Sequence, residues 1–420
     1  MREPIYRQRP VEPNPARFDS GRRINEFILQ CEAFSNSYLV ETPEGSIQFN
    51  AGMGFEAPVI RHNYAALSDL PLRYLVLTQG HVDHVGGVAH FREHNPGLEV
   101  VATARNPEHQ AYDARLAAFR GNRSAFAFTE KFADAFGHFA EHAYTDYPQQ
   151  DAPVPDILFN DDFRISLGGL DVELIAVPGA ETNDSLIAWL PQHRICITGN
   201  LFGCPFGHFP NLVTIRGDRY RDALTVADAV QRVLELEPEM ILYGHHGPVE
   251  GAEVIRDELT ALHGAIHHVH DETVKGMNAG IDVHTLMRDI TLPPELEVGE
   301  GYGKVSWGVR AIWENYAGWF HHRSTTELYA QPASSVSTDL VELAGGAEAV
   351  VTRAAGKLDA DDPVGALHLL DVVREADPAH PGARQVALEA HRRLLRDSEN
   401  FWLSAWLANQ ARLLGEGPAA

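Results

Sequence analysis

The sequence predicts a layered α/β domain followed by an all-α helical region. Three observations carry that expectation. Short apolar runs of strand character alternate with helical patterns up to about residue 250, the layout of a layered α/β domain. One of those runs, Tyr74-Leu75-Val76-Leu77-Thr78, passes directly into a loop crowded with histidine, aspartate and glycine. Beyond about residue 305 the pattern turns to amphipathic helices separated by proline-containing turns.

Residues 1–22 are polar and proline-rich and read as an N-terminal extension. Asn36-Ser37-Tyr38-Leu39-Val40 and Ser46-Ile47-Gln48-Phe49 flank Pro43-Glu44-Gly45, a turn that makes the pair a hairpin. Val100-Val101-Ala102, Val172 to Val177, Ile195-Cys196-Ile197 and Met240 to Tyr243 supply further strands, and Gly121-Asn122-Arg123 reads as a loop. Apolar residues at three- and four-residue steps predict a helix from Asp222 to Leu236. A long polar helix is expected over 252–275, with His267, His268 and His270 solvated, before Pro293-Pro294 breaks the chain. Four amphipathic helices follow, Leu340 to Leu358, Val364 to Ala376, Ala383 to Arg396 and Glu399 to Leu414. Asp361-Asp362-Pro363, Asp377-Pro378 and Pro381-Gly382 are their stop and start signals. Such helix pairs resemble tetratricopeptide hairpins, too few for a solenoid and suited to packing or dimerisation. The expected division is 23–284 for the α/β domain and 285–420 for the helical one.

Composition excludes several classes of function. The chain has 420 residues, with 34 Lys+Arg against 58 Asp+Glu and a formal net charge of −24. Such an acidic chain lacks the cationic surface that nucleic acid or anionic lipid requires. Its three cysteines form no CxxC pair, which suits a reducing compartment. No signal-like apolar segment and no run of about 18 apolar residues is found, so the expectation is a cytoplasmic protein with no membrane partner. No GxSxG, P-loop or GxGxxG motif supports acyl-enzyme, NTPase or dinucleotide chemistry.

The chemistry lies in the histidines. Gln79-Gly80-His81-Val82-Asp83-His84-Val85-Gly86-Gly87 follows a strand, and its glycines permit the tight turns that let His and Asp converge on one cation. Imidazole nitrogen and carboxylate oxygen suit zinc, iron or manganese. This loop resembles the HxHxDH hallmark of the metallo-β-lactamase superfamily, with Gln79 in place of the first histidine. The resemblance implies an αββα sandwich with a metal site, commonly dinuclear, at one edge.

Further motifs resemble the alkylsulfatase branch. Val177-Pro178-Gly179-Ala180-Glu181 places a glutamate where most members carry histidine, and Asn200 stands nineteen residues on in place of a bridging glutamate. Pro210-Asn211-Leu212-Val213-Thr214-Ile215-Arg216-Gly217-Asp218-Arg219-Tyr220-Arg221-Asp222 is similar to the branch pattern over thirteen positions. His245-His246-Gly247-Pro248 corresponds to the closing His-His-Trp-Pro, and Asn50-Ala51-Gly52 to the superfamily's Asp-x-Gly. Lys304 to Trp313, Tyr316 to Phe320, Leu343 to Ala347 and Glu399-Asn400-Phe401-Trp402 resemble the dimerisation region of the branch. The branch's sterol-carrier-like third domain is not expected here.

By this resemblance His81 serves one metal and Asp83 with His84 the second. Gln79, Glu181, Asn200 and either His245 or His246 complete a ligand set for one or two divalent ions, zinc first, with iron or manganese as alternatives. Asp83 takes a proton from metal-activated water, Arg216 compensates anionic charge, and Asn211 and Asn122 line the substrate pocket. His208 is a weaker candidate, and His321-His322 a poor one. The implied activity is hydrolysis of a sulfate ester, or related ester, of a small organic molecule by a homodimer joined through its C-terminal helices. Gln79 and Asn200 leave open a mononuclear or iron-dependent enzyme with changed chemistry.

Overall fold

The computed structural model describes residues 3–416. Contacts divide the chain into two compact units, Met1–Asn315 and Tyr316–Ala420.

The first unit is built on two sheets. In the first, β1 (Arg22–Arg23), β2 (Ile28–Cys31), β3 (Ser37–Thr42), β4 (Gly45–Phe49), β5 (Leu72–Val76), β6 (Glu99–Thr103) and β7 (Ile157–Phe159) lie side by side in chain order. The expected hairpin is β3–β4, and pairing becomes parallel from β4 onward. The second sheet runs β8 (Asp162–Leu167), β9 (Leu170–Ala176), β10 (Leu186–Leu190), β11 (Ile195–Gly199), β12 (Met240–Tyr243) and β13 (Val249–Glu250). Only its β11–β12 pair is parallel.

Strand alternation assembles four layers. Tyr38, Val40, Val76 and Val101 of the first sheet share one core with Val172, Leu174, Leu186, Ile197 and Leu242 of the second. Their neighbours Leu39, Leu75 and Val100 point the other way, onto a core with α1 (Ala57–Ala65), α2 (Val82–Val85), α3 (Val88–His94) and α4 (Asn106–Glu141). Ile187, Cys196 and Ile241 likewise face α5 (Ala223–Leu236), α6 (Ala252–Asn278), α7 (Val283–Asp289) and α8 (Val305–Ala317). The result is the αββα sandwich that the motifs implied.

Several local expectations are corrected. Gly121, Asn122 and Arg123 lie inside the 36-residue α4 rather than in a loop, because the alanine-rich flanks carry the helix through a solvated glycine. α6 is not polar throughout: Leu259, Leu262, Ile266 and Val269 are buried, and His270 with them, against Asp271. The N-terminal extension is packed, with Ile5 in the core beside α6 and the Ala16 N–H donating to Glu56 at 2.8 Å.

The second unit contains α9 (Ser337–Leu343), α10 (Ala347–Asp359), α11 (Pro363–Ala376), α12 (Pro381–Arg396) and α13 (Phe401–Glu416). The helix expected over 340–358 is two helices, since Gly345 and Gly346 take φ of 89° and 104°, outside helical space. Asp362 caps α11 by accepting from the Gly365 N–H, as the Asp-Pro signal required. Val350, Ala354, Leu370, Val373, Ala387 and Ala390 form its core.

Glu56 yields a stability prediction. It is fully buried, accepts the N–H groups of Ala16, Phe34 and Met53, and burial pushes its carboxyl up to about 7. The folded chain therefore holds a proton that the unfolded chain loses near its ordinary value, so this group's contribution to stability falls as pH rises through the interval up to about 7. Thermal unfolding of Glu56→Gln should show a flatter pH dependence across that interval than the parent; an unchanged slope contradicts the assignment.

Candidate metal centre

Strand ends converge at one edge of the two sheets. β5 runs into Gln79, His81, Asp83 and His84, β9 leads to Glu181, β11 to Asn200, and β12 to His245. His81, Asp83, Glu181, Asn200, Asn211, Arg216 and His245 line one cavity of about 140 Å³, together with Cys204, Thr214 and Tyr302. The rest of the lining is mainly apolar: Pro13, Phe34, Met53, Val82, Phe128 and Phe132. Gly244 makes the close approach possible, because a Cβ there would collide with Asn200 Oδ1.

Hydrogen bonds set the histidine tautomers. The Thr78 hydroxyl donates its one proton to Asn50 Oδ1 at 3.0 Å, so it accepts from His84 Nδ1 at 3.3 Å. The His84 lone pair is thereby left on Nε2, which meets the amide nitrogens of Gln79 at 3.0 Å and Asn200 at 3.2 Å, with Asp83 Oδ2 at 3.6 Å. His81 turns Nδ1 toward the Gln79 amide at 3.0 Å and Glu181 Oε1 at 4.0 Å. Its Nε2 lies 3.7 Å from Asp218 Oδ2.

Burial depresses His81 and His84, and pushes His245 down to about 3, so all three imidazoles are neutral near pH 7. Neutral imidazole is the ligating form. Burial also raises the Glu181 carboxyl, against the pull of Arg221 and Arg216. Among the described residues, Asn200 Oδ1 and His245 Nδ1 are buried without a hydrogen-bond partner. Neutral imidazoles, two carboxylates and an orphaned carbonyl oxygen on one cavity fit a borderline divalent cation.

Not every expected residue is in this lining. Gln79 and His84 stand directly behind it through the bonds just given. His246 is outside it, its carbonyl accepting from Gln30 and Asn36 at 2.7 Å while its ring, lowered by burial and then by Arg9, lies apart. Asn122 is exposed on α4, whereas Ser124 of that helix reaches the cavity. His208 accepts from the Gly301 N–H at 2.9 Å and braces the Gly299 segment instead. Asp222 caps α5, so the carboxylate nearest Arg216 is Asp218, at 4.0 Å.

The structure adds residues that the motifs did not assign. Arg221 pairs with Glu181 at 3.0 Å, and Asn50 anchors Thr78 and through it His84. Two further groups of ligand-type side chains exist among the described residues, His81–His109–Asp113 and the more exposed His90–Glu93–His94. In the first, Arg120 already donates to the Asp113 oxygen, supplying the positive charge that a metal would bring.

The family model of the metallo-beta-lactamase superfamily matches residues 32–245. The chain belongs to the metallo-β-lactamase superfamily. A second model, alkyl sulfatase dimerisation, matches residues 283–417. A linear primary-alkylsulfatase of Pseudomonas sp. is 26% identical over 393 residues, covering 90% of this chain and 74% of that protein. An (R)-specific secondary-alkylsulfatase of Pseudomonas sp. is 25% identical over 364 residues, covering 82% of this chain and 54% of the relative. The solved stereoselective inverting sec-alkylsulfatase Pisa1 from Pseudomonas sp. superposes with a TM-score of 0.81 at 20% identity, over 95% of this chain and 66% of that one. The chain thus spans between 54% and 74% of the length of these relatives. No described helix is long and apolar enough to cross a membrane.

Within this superfamily member, the Arg221–Glu181 pair is buried on both sides, with side chains 6% and 9% exposed. Arg221→Met should cost about 3–5 kcal/mol by leaving Glu181 buried and unpaired. Adding Glu181→Gln should restore most of the lost melting temperature. A single variant as stable as the parent contradicts the pairing.

Proposed function

We propose that the chain is a metal-dependent hydrolase that cleaves a sulfate ester, or a closely related ester, of a small organic molecule. The observation that carries this reading is one cavity lined at once by His81, Asp83, Glu181 and His245, by Arg216, and by apolar side chains. His81, Asp83, His84, Glu181 and His245, with Gln79 and Asn200, are the residues that would hold one or two divalent ions. When bound, the metal supplies a Lewis acid that lowers the pKa of water and polarises an ester oxygen.

The protein's own groups do the rest. Asp83 accepts a proton from the attacking water, and the guanidinium of Arg216 offers planar donors to the anionic group that leaves as sulfate. Asn211 adds a polar contact beside Arg216. Phe34, Met53, Phe128 and Phe132 cover the organic portion and keep bulk water from the reacting atoms. The relatives named as alkylsulfatases support sulfate as the leaving group. The helical region, the match to a dimerisation model and exposed Leu343 support a homodimer; three buried free cysteines support a reducing, cytoplasmic setting.

A second reading rests on Gln79 and Asn200, which present neutral amides to His84 where a two-metal site needs anionic or imidazole ligands. It gives a single metal per chain, zinc or a redox-active iron, with altered chemistry. Metal analysis with a sulfate-release assay on alkyl sulfates separates the two. The main reading expects sulfate release that stops on chelation and returns with zinc, and at least a 100-fold loss of kcat/KM in Asp83→Ala, on the scale of a lost proton acceptor. A metal-loaded chain that releases no sulfate retires the substrate class.

A further inference from the structure

One carboxylate stands behind two candidate ligands that come from different strands. Asp218 Oδ2 lies 3.7 Å from His81 Nε2 and 3.8 Å from Arg221 Nη2, and Arg221 Nη2 in turn lies 3.0 Å from Glu181 Oε1. The side chain is 7% exposed and receives the Tyr112 hydroxyl at 3.1 Å, with Arg120 at 3.4 Å.

His81 needs such a group. An imidazole that ligates through Nδ1 stays neutral only with its proton on Nε2, and a buried N–H requires an acceptor. Among the described residues, Nε2 has no hydrogen-bond partner, and Asp218 is the carboxylate within 4.0 Å of it. A ring movement of about half an ångström closes that gap to hydrogen-bond distance. Arg221 gives Nη1 to the Asn211 carbonyl at 2.5 Å, and its Nη2 faces both Glu181 at 3.0 Å and Asp218 at 3.8 Å, so Asp218 is the second carboxylate that fixes it.

We propose that Asp218 is a positioning residue for the metal centre, accepting from His81 Nε2–H directly and fixing Glu181 through Arg221, so that His81 Nδ1 and Glu181 Oε1 converge on one cation. This rests on the metal-hydrolase reading. Outer partners of this kind orient the ligand and raise its basicity, and their loss weakens metal binding by about 10- to 100-fold.

The test measures zinc affinity by competition with a chromophoric chelator, and the visible spectrum of the cobalt-substituted protein, for wild type, Asp218→Asn and Asp218→Ala. Asp218→Asn keeps shape and an acceptor, so it guards against a variant that fails to fold. The proposal expects zinc affinity about 10- to 100-fold weaker in Asp218→Ala, a smaller loss in Asp218→Asn, and a shifted cobalt spectrum in both. Glu108→Gln is the control: it breaks the ion pair to Arg219, the next residue after Asp218, while Glu108 bonds Arg219 and Asn183 rather than His81, Glu181 or Arg221. Affinity and spectrum should stay at wild-type values there, whatever happens to melting temperature. Wild-type affinity in the Asp218 variants, or an equal loss in Glu108→Gln, overturns the positioning role while leaving a metal-binding, sulfate-releasing wild type intact. A wild type that binds no zinc overturns this role and the function reading together.

Discussion

Three imidazoles and the Glu181 carboxylate are drawn out of water at one edge of the paired sheets, and that desolvation sets what the surrounding structure must provide. Burial keeps His81, His84 and His245 neutral, so their ring nitrogens carry lone pairs rather than charge. It equally demands partners for the protons they retain, and Thr78, itself held by Asn50, accepts from His84 Nδ1. The close passage of β11 past β12, permitted by Gly244, brings Asn200 into the same space. The αββα architecture supplies the frame: strand ends from both sheets open onto one cavity, while their alternating apolar faces are used up in three cores.

Charge is handled locally rather than globally. A chain with a net charge of −24 repels anions at long range, so an anionic ester needs a local focus of positive potential. Arg216 lies on the cavity wall, with Arg221 behind Glu181, and under the proposed function Arg216 and a bound cation would make that focus. Asp218 then keeps the guanidiniums from repelling one another in a poorly solvated place. The apolar lining contributed by Phe34, Phe128 and Phe132 gives the opposite chemistry in the same cavity, matching a molecule with a charged end and an organic body.

Much of the fold was legible because it follows from side-chain period and turn chemistry. The β3–β4 hairpin, β5 running into the His-rich loop, the Asp222-capped α5 and the Asp-Pro starts of the C-terminal helices all rest on local signals. The helix break at Gly345-Gly346 was equally local and is clear only once both glycines are weighed together. By contrast α4 hid a glycine in its interior, and the burial of His270 depends on what α6 packs against, which no periodicity reveals. At the site, motif spacing located His81, Asp83, Glu181 and Asn200, but could not separate His245 from His246. That choice is made by the chain turning at His246, whose φ is 61°, after His245 has entered the cavity. Asp218, Arg221 and Asn50 were visible as letters; their roles come from contacts between segments far apart in the chain.

The proposed function requires that this cavity, rather than another group of ligands among the described residues, holds a divalent cation. Crystals grown with zinc and measured on both sides of its absorption edge test it most directly. The account predicts anomalous density inside the cavity, bonded to His81 and Glu181, to Asp83, His84 and His245, or to both sets, at about 2.0–2.2 Å from each donor atom. Density confined to His90–Glu93–His94 on the surface, or to the pocket between His109 and Asp113, would contradict it.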